Sequence, residues 1–153
     1  MSEDLEFVTY CGLYCDLCGA RARIPQQAAA LQQAMAEEGW PYWGQEIPGF
    51  AGFWDFLEGL QAEGGCPGCR AGGGDPECQI RDCARERGVE MCGLCDDFPC
   101  EAVQALAARY PTLIADNARL RAIGLERWLA EQAERARRGV VYADMRYADE
   151  GHP

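Results

Sequence analysis

Lysine is missing altogether from this 153-residue chain; serine occurs once, as Ser2, and histidine once, as His152. Without lysine there is no phosphate-loop lysine and no Schiff-base chemistry. A single serine at the second position leaves no serine nucleophile within a fold. A single histidine next to the last residue excludes a His-rich catalytic zinc site and an ordinary histidine general base. No segment approaches the roughly 20 apolar residues of a membrane span. The opening residues Met1 to Glu6 are acidic and lack the basic start and apolar run of a secretory signal. The expectation is a cytoplasmic protein with no membrane partner. The chemistry left to it is that of thiolates, carboxylates, tyrosines and arginines.

Against these absences stand ten cysteines and a formal net charge of −11. A reducing cytoplasm does not keep ten cysteines as five disulfides, so metal ligation is the better account of the excess. Each zinc held by four thiolates adds about −2 more. A field of that sign disfavours nucleic acid and anionic membrane surfaces. Arg81, Arg85 and Arg87, and likewise Arg135, Arg137 and Arg138, read as solvated helix faces.

The cysteines recur as Cys-x2-Cys at Cys15/Cys18, Cys66/Cys69 and Cys92/Cys95. Two intervening residues let a tight turn bring both sulfurs to one ion, about 2.3 Å away in a zinc site. Gly19, Gly68 and Gly93 supply the freedom such turns need. Cys78 and Cys83 are five residues apart, so on one continuous helix they point about 140° apart and cannot share an ion. Either Cys78 precedes the helix or the two serve different sites. Cys11, Cys15, Cys18, Cys66 and Cys69 form one group of five, and Cys78, Cys83, Cys92, Cys95 and Cys100 another. The expected sets are Cys15, Cys18, Cys66 and Cys69 for one zinc, and Cys83, Cys92, Cys95 and Cys100 for a second. Cys11 and Cys78 are left over. An iron–sulfur cluster is the alternative occupant, since four thiolates suit either metal. Cys11-x3-Cys15-x2-Cys18 also has the spacing of the radical-SAM motif. Leu17 stands where that family has an aromatic residue, and the chain is too short for its barrel.

The rest of the chain reads as mainly α with loop-rich zinc knuckles. Residues 9–19 form a turn-rich knuckle entering a helix. Pro25 and Gly39 bracket a helix over 25–38. Phe50, Phe53, Trp54 and Leu57 follow helical spacing and predict a buried face of a helix near 50–62. Trp40, Tyr42 and Trp43 fall outside that stripe and are candidates for a ligand or partner patch. Further helices are expected over 79–87, ended by Gly88, over 99–109 with Pro99 in the first turn, over 112–122 with Thr112 capping, and from Leu125 to near Gly139. Val140 to Tyr147 reads as a strand or extended arm. The expected organisation is a single domain, 1–153. It comprises a cysteine-rich core at 9–101 with an inserted helical and aromatic segment at 25–62, a helical segment at 102–139 and a tail at 140–153.

Several segments together resemble the DUF3795 family. They are Tyr10-Cys-Gly-Leu-Tyr-Cys-x2-Cys18, Cys66-x-Gly-Cys69, Cys78-x-Ile-Arg-x-Cys83-Ala, Arg87-Gly-Val-Glu-x-Cys92-x2-Cys95 and Asp97-Phe-Pro-Cys-Glu101. Ile123-Gly-Leu-Glu-x-Trp-Leu129 is similar to that family's C-terminal helix. The resemblance implies a small bacterial or archaeal zinc-binding protein and brings no reaction with it.

The functional expectation is a zinc-stabilised binding or adaptor module whose partner is a protein or a small molecule. Four protein ligands per ion leave no open position for substrate, which favours binding over catalysis. The alternative is a redox protein or enzyme using the surplus thiolates Cys11 and Cys78 or an iron–sulfur cluster; a metal sensor or zinc store is a third reading. A structural zinc site contributes about 10–16 kcal/mol, comparable to a domain's whole stability of about 5–15 kcal/mol. Loss of metal is therefore expected to unfold the cysteine-rich part.

Overall fold

The computed structural model describes residues 5–62 and 66–146. It is mainly helical, and among the described residues there is no strand, only an isolated antiparallel bridge between Val8 and Tyr14. In chain order the helices are α1 (Gly19–Ala22), α2 (Ile24–Glu37), α3 (Trp40–Trp43), α4 (Phe50–Ala62), α5 (Gln79–Arg87), α6 (Glu101–Ala107), α7 (Leu113–Ile123), α8 (Leu125–Arg137) and α9 (Tyr142–Arg146). No helix among the described residues is long and apolar enough to cross a membrane.

The helix ends follow local chemistry. Pro25 sits in the first turn of α2, where a missing N–H costs nothing. Gly88 closes α5 at φ 65°, a left-handed conformation that favours glycine, and the Val89 amide bonds back to the Ala84 carbonyl. Gly124, at φ 82°, makes the corner between α7 and α8.

Three boundaries differ from expectation. Cys100 keeps an extended backbone and is the N-cap of α6, so Pro99 stands outside the helix. Thr112 is the N-cap of α7 but makes no side-chain cap bond; its hydroxyl instead donates to Asp116 at 2.7 Å. Residues 142–146 form α9 and not a strand. The Val141 amide bonds the Asp144 carboxylate while the Asp144 amide bonds the Val141 carbonyl, a reciprocal arrangement that starts a helix. Tyr147 lies outside the described residues.

The core gathers Leu5, Val8, Met91, Leu120 and Trp128, with Tyr14, Ile123, Leu125 and Leu129 packed against it. Trp128 is fully buried, and its indole N–H donates to the Asp116 carbonyl at 2.8 Å. This core therefore ties the N-terminal segment and the segment before Cys92 to α7 and α8. The chain end is fastened to it too: the Tyr142 hydroxyl accepts from the Tyr14 amide at 2.9 Å, and Arg23 clasps Asp144 with two bonds of 2.8 Å.

Helices α2 and α4 pack on each other and are joined by Gln61–Gln32 and Gln32–Glu58 side-chain bonds. The buried stripe of α4 is narrower than its periodicity predicts. Phe50 and Leu57 are buried and Trp54 is half-buried, but Phe53 is 40% exposed. A helix whose main neighbour is one other helix covers a stripe only a few residues wide, and Phe53 lies at its edge.

Trp128→Ala is expected to cost about 3–5 kcal/mol, by cavity formation and loss of the indole bond. Denaturant unfolding followed by circular dichroism measures this. Tyr42→Ala, at a site 88% exposed, serves as control and should stay within about 0.5 kcal/mol of the parent.

Candidate metal centre

Two of the cysteine pairs sit on the same local structure. Cys15–Leu17 and Cys92–Leu94 are single 3₁₀ turns, and in each the second cysteine's amide bonds the first's carbonyl at 3.0 Å. The third pair is built differently. Gly68, at φ 96°, turns the chain between Cys66 and Cys69, and its carbonyl accepts the Gly73 amide at 2.8 Å. A Cβ on Gly73 would meet the Cys66 sulfur at 2.7 Å and the Gly68 backbone at 2.9 Å, so only glycine closes this loop.

These turns bring eight cysteines to two cavities. Cys15, Cys18, Cys66 and Cys69 line one of about 160 Å³, walled by Tyr14, Tyr110 and Tyr142. Cys83, Cys92, Cys95 and Cys100 line another of about 70 Å³, walled by Val89, Phe98 and Val103. Either volume has room for a small bound species. The two lining sets coincide with the two sets expected from spacing. Cys78 is the N-cap of α5, which removes it from the helix carrying Cys83, and it lines neither cavity. Cys11 is also outside both; it is buried, with its sulfur 3.0 Å from the Thr9 hydroxyl.

Thiol ionisation reflects this clustering. Burial pushes the Cys15 thiol up from 9.0 to about 11; the Cys69 amide and Arg21 act the other way, while Cys66 and Cys69 raise it further. Burial pushes Cys92 up to about 12, reinforced by Cys11, Cys100, Cys83 and Cys95. Burial likewise raises Cys11, against the Thr9 hydroxyl and the Leu13 amide. Without a compensating cation these sulfurs stay protonated at neutral pH.

A tetrahedral thiolate site brings its sulfurs to about 3.8 Å from one another, given zinc–sulfur bonds of about 2.3 Å. Among the described residues, no group of three or more Cys, His, Asp or Glu can hold a metal ion as the side chains stand. The fit therefore lies in donor chemistry, number and enclosure.

Residues invisible to motif reading hold the loops in register. Arg121 donates to the carbonyls of Gly93 and Cys95. Arg21 donates to the Cys66 carbonyl at 3.1 Å. Arg70 reaches the Val8 carbonyl at 2.9 Å, joining the start of the chain to the Cys69 turn. Arg81 was expected on a solvated face, but it is buried and bonds the carbonyls of Gly73, Asp75 and Pro76. Arg87 pairs with Asp97 and lies 3.7 Å from the Cys95 sulfur.

Asn117 is fully buried between two cysteine turns; its amide nitrogen donates to the Cys11 carbonyl at 3.1 Å and the Leu113 carbonyl at 2.9 Å. A Cβ on Gly12 would stand 2.3 Å from the Asn117 oxygen, and one on Gly93 would stand 2.2 Å from it. The only sequence signal was that this is the chain's one asparagine.

The candidate patch at Trp40, Tyr42 and Trp43 divides. Trp40 stacks on Phe50 at 6.0 Å and meets the tilted Trp43 ring at 4.3 Å, and the Trp43 indole donates to the Glu38 carbonyl at 3.0 Å. Trp40 thus packs α3 against α4, while Trp43 is held locally and stays 45% exposed. Tyr42 is free of that packing and 88% exposed.

Fold and cysteine turns together define a small, mainly helical, cysteine-rich protein. The family model described as "Protein of unknown function (DUF3795)" matches residues 7–105, and the chain belongs to that family. The match holds all ten cysteines and stops short of Ile123–Leu129, the segment likened above to the family's C-terminal helix. No curated protein and no solved structure matches the chain.

Two outcomes test this geometry. Gly93→Ala should lose about 1–3 kcal/mol by overpacking, and a double-mutant cycle with Asn117→Ala should recover part of that loss, since the two changes share one contact. Burial raises the Tyr142 hydroxyl above its ordinary 10.0, so ionisation favours the unfolded chain. The stability it contributes is complete below pH 10 and is lost as pH rises toward the higher folded value. Alkaline unfolding curves should show that loss, and Tyr142→Phe should flatten them above pH 10.

Proposed function

We propose that this chain is a zinc-binding protein in which two all-cysteine sites stabilise a binding or adaptor module. The observation that carries the reading is the division of eight cysteines into two sets of four, each lining its own cavity. Cys15, Cys18, Cys66 and Cys69 would hold one ion, and Cys83, Cys92, Cys95 and Cys100 the other. When bound, zinc would supply charge neutralisation and cross-linking there, its ligands being the four cysteines of each set. The thiols surrender their protons on metal capture, so binding is tied to folding and to pH. The nearby arginines offset the negative charge that each four-thiolate site carries. Membership of a family described only as of unknown function agrees with a role that no reaction motif announces.

Iron–sulfur or thiol redox chemistry is the second reading, favoured by Cys11 and Cys78 lying outside both four-cysteine cavities.

Elemental analysis of the purified protein should find about two zinc ions per chain. Cys15→Ser and Cys92→Ser should each lose about one, while Cys11→Ser and Cys78→Ser should retain both. Chelation should remove the helical signal of the cysteine-rich part. Iron with visible absorption would replace zinc by the second reading; a folded protein with no metal would remove zinc and the iron–sulfur cluster alike, and absence of any alkylated thiol in the folded state would remove the thiol redox version.

A further inference from the structure

One face of α4 is built as though another helix were to lie on it. Gly52 and Gly59 both belong to the helix interior, and a Cβ at either would meet nothing within 4 Å among the described residues. Glycine is the poorest helix former after proline, and on a solvated face nothing in this fold requires it. Phe56 lies four residues after Gly52 and three before Gly59, so it shares their face, and it is 64% exposed. Phe53, one turn earlier, is 40% exposed. Asp55 completes the patch by the same spacing, and it too is exposed. Two glycine gaps beside two exposed phenylalanines give a surface with knobs and holes, the relief that helix packing uses.

The α2–α4 segment that carries this face has charge of one sign, and Asp55 brings it to the face itself. Residues 24–62 contain Glu37, Glu38, Glu46, Asp55 and Glu58 and no basic residue. The same face of a second copy would set carboxylate against carboxylate and is disfavoured. We propose that the Gly52–Phe56–Gly59 face of α4 docks a basic amphipathic helix of a partner protein. The partner's apolar row would pack over Phe53 and Phe56, and its cationic row would meet Asp55 and the neighbouring carboxylates. The glycines let the two backbones approach closely. The inference rests on reading the chain as a metal-stabilised binding module and names the partner's chemistry.

The test is fluorescence anisotropy with the zinc-loaded full chain and a synthetic peptide of about 18 residues, five helical turns, with leucine on one face and arginine on the other. The parent should bind it, and salt should weaken binding. Replacing the peptide's arginines by glutamine should weaken binding at least about tenfold. Phe53→Ser/Phe56→Ser should do the same. Gly52→Gln/Gly59→Gln should also lose at least about tenfold in affinity while melting no lower than the parent, a combination that a structural role for the glycines does not produce. Absence of binding, equal binding of the neutral peptide, or undiminished binding by the glycine variant would overturn the proposal. So would sedimentation showing a dimer that Phe53→Ser/Phe56→Ser dissociates. Zinc is counted in the same samples. A zinc-replete protein that ignores the peptide overturns the surface and leaves the scaffold reading standing; a folded, metal-free protein that binds it does the reverse.

Discussion

The backbone carbonyls of the cysteine-bearing loops need donors, and arginine supplies them. A loop without helix or strand leaves its peptide groups unpaired, and an unpaired buried group costs as much as a lost hydrogen bond. Arg21, Arg70, Arg81 and Arg121 each bond carbonyls in or beside the segments that carry Cys66, Cys69, Cys92 and Cys95, Arg70 through the Glu90 carbonyl. A guanidinium offers five donors in a fixed plane, so one side chain can fasten a loop at two or three points. Arg81 does this from α5, with three carbonyls of the segment between Cys69 and Cys78. Arg21 also brings positive charge close to the Cys15 sulfur, and a further arginine, Arg87, lies 3.7 Å from the Cys95 sulfur.

Apolar packing alone leaves much of the molecule unexplained. The core around Trp128 and Met91 joins the N-terminal segment to α7 and α8. The loops from Cys66 to Gly74 and from Cys92 to Cys100 contribute few buried apolar side chains. Asn117 carries part of that burden by occupying the space that Gly12 and Gly93 leave open. Its position makes the two turns answerable to one side chain on α7, so a shift at one turn is felt at the other. Its oxygen has no partner within the described residues, the cost of placing an amide where two glycine turns meet.

Much of this was legible in the sequence because the signals are local. Pro25, Gly39, Gly88, Gly124 and Gly139 mark helix ends by their own backbone preferences, and Cys-x2-Cys spacing specifies a turn without reference to the rest of the chain. Dividing the ten cysteines five and five in chain order put Cys15 with Cys66 and Cys83 with Cys100, and each of these pairs lines one cavity. What failed depended on distant partners. Val140 and Val141 have strand-like side chains, but the described residues offer no sheet edge to pair with, and Asp144 turns the chain into a helix. Phe53 has the spacing of a buried residue, but α2 covers only part of α4. Arg81 looks like a surface charge until the carbonyls of Gly73 and Asp75 are brought to it. Asn117 gave no signal beyond being the chain's one asparagine, because its role depends on two glycines far away in the chain.

The α2–α4 segment obeys a different logic from the cysteine-bearing loops. It contains no cysteine and no arginine, so it adds nothing to the two cysteine-lined cavities or to their arginine bracing. Its own stability comes from the aromatic stack of Trp40, Trp43, Phe50 and Trp54 and from glutamine bonds between α2 and α4. A segment with its own packing can devote an outer face to other ends at little cost to the rest. The outer face of α4 has glycine where stability favours alanine, phenylalanine where solubility favours a polar residue, and charge of a single sign. Each choice works against the isolated protein, and together they make sense for a surface meant to be covered. The cysteine-bearing loops would then fix the position from which that surface is presented.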